Sequence, residues 1–191
     1  MHDSLTILFG SFSLVAVSEI GDKTQLLAFS LAARFKKPVP ILTGIFVATI
    51  LNHSLAAYLG SYASLSLDPK IMGYILSGLF IVFGIWTLKP DTLDDSQKNS
   101  RYGAFLTTLV LFFFAEMGDK TQFATIALGA KFQSALLVTL KTTMGMMITD
   151  GLAVGLGDRL AHKVQMKWIR FGSAILFFIF GFWTFFETVS L

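Results

Sequence analysis

Glu19-Ile20-Gly21-Asp22-Lys23-Thr24-Gln25 returns 97 residues later as Glu116-Met117-Gly118-Asp119-Lys120-Thr121-Gln122, with six of the seven positions identical and five of those six polar or charged. Both copies lie inside long apolar runs. The same offset aligns Leu14–Thr87 with Leu111–Thr184 without a gap, and 21 of those 74 positions are identical. Among the matches are Leu55-Ala56 with Leu152-Ala153, Leu59-Gly60 with Leu156-Gly157, and Gly84, Trp86 and Thr87 with Gly181, Trp183 and Thr184. Leu and Phe coincide easily in apolar helices, whereas a charged seven-residue block does not. The chain therefore reads as a duplication: a first repeat over 1–88, an acidic linker over 89–101 and a second repeat over 102–191.

Composition places both repeats in a bilayer. Of 191 residues 54% are hydrophobic, the mean hydropathy is +0.68, and 14% are Asp, Glu, Lys or Arg, against about a quarter in soluble domains. Six apolar runs, near 5–33, 41–62, 71–88, 104–130, 134–157 and 168–187, predict an all-α membrane protein of six transmembrane helices. With no Cys, disulfides, thiolate metal sites and cysteine catalysis are excluded. No basic run with interleaved aromatics points to nucleic acid. The first run has no basic segment before it and is too long for a signal peptide, so it is expected to be a retained helix.

Assigning alternate loops to opposite sides collects Arg34, Lys36, Lys37, Lys89, Lys98, Arg101, Arg159, Lys163, Lys167 and Arg170 on one side, and only Lys70 and Lys131 on the other. Basic loops stay in the cytoplasm. Both termini are then expected outside and the linker, with Asp94 and Asp95, inside. Three spans per repeat is an odd number, so the second copy must enter the membrane in the opposite sense. Two inverted three-helix repeats are a common plan of secondary transporters.

In these spans Glu19 and Glu116 each lie about 20 Å from opposite membrane faces at 1.5 Å per residue, so the motifs are expected to meet near the midplane. Glu and Asp three apart share a helix face, and the pseudo-twofold axis is expected to bring Glu19, Asp22, Glu116 and Asp119 together. Such oxygen-only sets suit hard divalent cations such as Mn2+, Ca2+ or Mg2+. Six unpaired charges at helix centres, the four acids with Lys23 and Lys120, would oppose insertion by roughly 15–20 kcal/mol. Burial at that cost marks function; ion pairs of each Lys with its neighbouring acids, serving only to lock the bundle, are the alternative. Four carboxylates and two ammonium groups leave about two negative charges. One divalent cation or two protons neutralise these equally, as metal/proton exchange requires.

Around this set, Thr24, Gln25, Thr121 and Gln122 supply neutral oxygens. Gly21 and Gly118 fit either close helix packing or an interrupted helix. The repeat sets His53 opposite Asp150, beside Asn52 and Thr149. Asp150 in an apolar span is expected to serve as a further ligand, the partner of a lysine or a proton-coupling group, and His53 as a proton relay or a hydrogen-bonded core residue. Met144, Met146 and Met147 could offer soft sulfur but equally fill a core.

The paired E-x-G-D-K-T-Q block resembles the signature of a family of small cation/proton exchangers that includes bacterial manganese exporters of the MneA type and Golgi manganese/calcium transporters. The resemblance covers the whole chain, and neither motif departs from it. It implies export of Mn2+, with Ca2+ a second cargo, in exchange for protons, and makes Glu19, Asp22, Glu116 and Asp119 essential. The metal is then cargo, and no cofactor is expected. The short loops and brief amino-terminal segment resemble bacterial members, which implies the inner membrane. An exporter of amino acids or other small cations is the rival, though no aromatic box accompanies the acids. An intramembrane hydrolase lacks an HExxH or GxSxG pattern, so no enzyme is expected.

Overall fold

The structure is a computed structural model describing residues 4–20, 22–89, 103–156 and 166–190. Among the described residues the chain forms eight α-helices: α1 Ser4–Glu19, α2 Lys23–Phe35, α3 Pro38–Leu65, α4 Pro69–Thr87, α5 Ala104–Glu116, α6 Lys120–Phe132, α7 Ala135–Leu156 and α8 Met166–Val189. The linker from Pro90 onward, Gly21, and the basic positions Arg159 and Lys163 lie outside the described residues.

Four of the expected spans are single helices. The other two, 5–33 and 104–130, are each divided at the polar motif into a helix pair, α1–α2 and α5–α6. The backbone shows why. Met117 is extended (φ −66°, ψ 120°), Gly118 takes φ 74°, and Asp119 is extended again (φ −81°, ψ 161°). That positive φ is available to Gly at little cost. A Cβ on Gly118 would meet nothing within 4 Å, so this glycine breaks the helix and does not serve close packing.

The duplication repeats in the elements. α2 and α6 begin and end 97 residues apart, and each closes on a left-handed residue at equivalent positions, Lys36 (φ 51°) and Gln133 (φ 50°). Pro38 and Pro69 open α3 and α4, where a missing N–H costs nothing. Asp68 Oδ1 caps α4 by accepting from the N–H groups of Lys70 (2.9 Å) and Ile71 (3.3 Å).

The halves are interleaved. α3 packs on α5, α6 and α7, α1 on α7 and α8, and α4 on α8, all pairs drawn from different repeats. Two apolar clusters result: one around Phe80, Phe83, Leu128, Phe177 and Phe180, and one around Val15, Leu31, Ile45, Phe112 and Met146. α3, α4 and Phe171–Val189 of α8 are long and apolar enough to cross a membrane. Large apolar side chains face outward along the bundle, among them Tyr62 (74% exposed), Phe114 (65%) and Phe186 (67%). Contiguous apolar exposure on this scale belongs in lipid, and the chain is a multi-pass membrane protein.

Candidate functional site

Each motif folds as a break with a defined turn. α1 ends at Glu19, whose carbonyl accepts the Asp22 N–H at 3.1 Å, and the Asp22 carbonyl starts α2 by accepting from Leu26 at 3.2 Å. The second copy repeats this with Asp119 on Glu116 at 3.1 Å and Phe123 on Asp119 at 3.2 Å. Asp22 and Asp119 thus occupy the N-cap positions of α2 and α6, where an Asp side chain ordinarily bonds the first-turn N–H groups. Neither does so. Both carboxylates turn into the protein instead, beside two helix ends whose dipoles favour negative charge.

There they meet the other repeat. Lys23 Nζ donates to Asp119 Oδ1 at 2.7 Å, and Lys120 Nζ donates to Asp22 Oδ1. Glu19 accepts from Thr24 Oγ1 at Oε2 (2.7 Å) and from Thr121 Oγ1 at Oε1. Carboxylate oxygens of Glu19, Asp22 and Asp119 lie within 4.8 Å of one another, and all three residues are buried. A cation held at 2.3–2.6 Å by oxygen keeps opposing ligands about 4.6–5.2 Å apart. The three carboxylates are therefore spaced to share one hard divalent ion. Glutamate and aspartate come together here across a turn between two helices, and not on one continuous helix face as the sequence spacing suggested.

Glu116 is wholly buried, and neither of its carboxylate oxygens has a hydrogen-bond partner among the described residues. The same holds for both oxygens of Asp150 and both ring nitrogens of His53. Isolated buried polar groups are costly, and among the described ionisable residues these three are the ones whose buried side chains have no bonded polar atom. Each lysine thus reaches across to the aspartate of the other repeat.

The flanking amides complete the frame. Gln25 Nε2 donates to the Thr149 carbonyl at 3.2 Å, and Gln122 Nε2 to Asn52 Oδ1 at 3.3 Å. Gln122 Oε1 also accepts the Gly118 N–H at 2.8 Å, and Asn52 Nδ2 donates to the Phe113 carbonyl at 3.0 Å. Asn52 and Thr149 are equivalent in the repeat, so the duplication itself was the signal for these links. Met146 is buried, and its sulfur accepts from Thr49 Oγ1 at 3.2 Å, while Met144 is half exposed.

The GDT1 divalent cation/proton antiporter family matches residues 7–95 and 104–190, one segment per repeat. The chain belongs to the GDT1 family. GDT1 proteins are transporters and not enzymes. Among relatives, a Vibrio cholerae protein named "Putative manganese exporter" is 43% identical over 176 residues, covering 92% of this chain and 88% of that protein. "GDT1-like protein 3" of Oryza sativa subsp. indica is 29% identical over 200 residues, covering 91% and 71%. "GDT1-like protein sll0615" of Synechocystis is 28% identical over 202 residues, covering 93% and 95%. No solved structure matches the chain. Within the GDT1 family the buried carboxylates thus belong to a chain that exchanges divalent cations for protons.

Proposed function

We propose that this protein exports divalent cations, Mn2+ foremost and Ca2+ second, from the cytosol in exchange for protons. The observation that carries this reading is the convergence of Glu19, Asp22 and Asp119 oxygens within 4.8 Å at two buried helix breaks. Glu116 completes the metal-binding acids. Lys23, Thr24, Gln25, Lys120, Thr121 and Gln122 position them, and Asp150 and His53 carry protons to and from the site. The Vibrio cholerae relative's name supports Mn2+ as cargo.

The protein works as two inverted three-helix repeats, each with one span broken at its motif, in a bacterial inner membrane. The ten-to-two distribution of basic residues supports termini outside and the linker in the cytoplasm. Because the repeats interleave, the broken pairs α1–α2 and α5–α6, with hinges at their motifs, are the elements that expose the site alternately.

Metal-resolved flux into proteoliposomes with a pH-sensitive dye inside tests the reading. Mn2+ movement should be matched by counter-movement of protons, and Glu19→Gln and Glu116→Gln should each abolish both. Unimpaired Mn2+ flux in both variants refutes the site, and flux that is unchanged when the proton gradient is collapsed refutes the exchange.

A further inference from the structure

Each motif aspartate is held by the lysine of the other motif: Lys23 on Asp119 and Lys120 on Asp22. Both aspartates forgo capping their own helices to receive these cations. Locking the bundle does not require this. The halves are already joined by the α4–α8, α3–α7 and α1–α7 interfaces, and apolar side chains would lock such an interface without desolvating four charges.

A lysine ammonium on a buried carboxylate is in effect a monovalent cation tied to the backbone by a flexible stem. Asp119 Oδ1 carries such an ion at 2.7 Å, and Asp119 belongs to the carboxylate triad spaced for a divalent ion. Ammonium and cargo therefore compete for the same oxygens. The two lysines differ in freedom to leave: the Lys23 side chain is 26% exposed, that of Lys120 only 4%. Part of the Lys23 side chain lies at the surface of the bundle, and Lys120 is enclosed.

We propose that Lys23 is a tethered stand-in for the cargo, holding Asp119 in the cargo-free protein and swinging toward water when a divalent cation enters. Lys120 plays the same part on Asp22 when the site opens to the opposite side. This inference rests on the transport reading above. It gives the site two properties. A divalent ion displaces an ammonium by virtue of its double charge, whereas a monovalent ion gains nothing by the exchange, so the lysines select for divalent cargo. On release the ammonium returns to its aspartate, which keeps the cargo from resting in too deep a well, the condition for any ion to pass through.

The test labels amines in the purified wild-type protein by reductive methylation, with and without saturating Mn2+, and reads each lysine by peptide mass spectrometry. Mn2+ should raise Lys23 modification about threefold or more and leave the exposed Lys70 unchanged, and K+ at the same ionic strength should have no effect. Lys23 modification that stays constant or falls when Mn2+ binds overturns the inference. In parallel, Lys23→Gln should bind Mn2+ about tenfold more tightly, because apparent affinity scales with the fraction of protein in the competent state. It should also turn over more slowly and discriminate less against monovalent ions, while Lys23→Arg stays close to wild type. A Lys23→Gln variant that binds Mn2+ no more tightly also overturns it. A wild-type protein that binds no Mn2+ would refute the transport reading itself, a separate result from bound Mn2+ without lysine displacement.

Discussion

Gly60→Ala tests whether the close approach of α3 and α6 sets the site geometry. A Cβ on Gly60 would lie 2.8 Å from the Ile126 carbonyl carbon and 2.9 Å from the Ala130 nitrogen, with the Ile126 carbonyl oxygen closer still. Those are backbone atoms and cannot rotate away. Ordinary contact begins at 3.4 Å, so α6 must retreat by more than half an ångström. The facing Gly129 sits equally tightly, with its Cβ position 2.9 Å from the Ala57 Cα, and Ser61 Oγ bonds the Gly129 carbonyl at 3.0 Å. α6 carries Asp119 at its N-cap and Lys120, Thr121 and Gln122 in its first turn, so these four residues of the second motif move with it. The Gln122–Asn52 bond, already 3.3 Å long, would be lost. Overpacking against backbone costs about 3 kcal/mol at the upper end of the usual range. For a chain of this size that corresponds to a drop of about 6–12 °C in Tm. A misplacement approaching 1 Å in a reacting constellation costs about a hundredfold in rate, and Mn2+ flux should fall accordingly. The control is Gly78→Ala in α4, where a Cβ meets nothing within 4 Å and Ala is favoured over Gly by about 1 kcal/mol. Thermal unfolding in detergent and Mn2+ flux in proteoliposomes should separate the two variants. A Gly60→Ala protein with wild-type Tm and flux, or a Gly78→Ala protein as damaged as Gly60→Ala, refutes the reasoning.

Thr24→Val and Thr121→Val each remove a hydroxyl that donates to Glu19. Hydrogen bonds to charged groups contribute about 1.5–3 kcal/mol, so Mn2+ affinity by calorimetric titration should fall about tenfold or more in each variant and further in the double variant. At the end of the bundle Lys131 bonds Glu187 at 2.7 Å and lies 5.0 Å from the centre of the Trp183 ring. The Glu187 side chain is 40% exposed and that of Lys131 only 4%, so Glu187→Gln, which keeps a neutral acceptor for the ammonium, should cost about 1 kcal/mol. It should lower Tm by at most a few degrees and leave Mn2+ flux within about twofold of wild type.

What could be read from the sequence was whatever the duplication encodes twice. The offset of 97 residues foretold two equivalent acidic motifs in a helical membrane protein; the helices that follow them, α2 and α6, emerged only in the structure, where they match end to end. It could not show how each motif bends. A helix drawn through Glu19 and Asp22 puts both on one face, and so does the turn that forms; period alone does not separate them. Gly118 carried the hint, and only its φ of 74° decides for interruption. Long-range pairing was hidden for a different reason. Lys23 reaches Asp119 and Lys120 reaches Asp22 because the halves interleave, and local spacing always favours the neighbouring acid. Thr121 was expected to supply a neutral oxygen near the acids, and its hydroxyl crosses between the repeats to Glu19.

That crossing bears on how such a framework moves. The backbones of the two motifs are equivalent: each aspartate is an uncapping N-cap, each turn closes at 3.1 Å, and each following helix ends on a left-handed residue. The side chains are not. Glu19 takes both threonine hydroxyls and Glu116 takes none, while Lys23 is part exposed and Lys120 enclosed. On the proposed inverted arrangement, exchanging the roles of the repeats would give a second state in which Thr24 serves Glu116 and Lys120 becomes the part-exposed lysine. The two states would then differ in energy through residues that the duplication did not preserve, His53 against Asp150 and Asn52 against Thr149 among many. A gap of a few kcal/mol or less leaves both states populated enough for cargo to shift the balance. A pair of chemically identical repeats would fix that gap near zero.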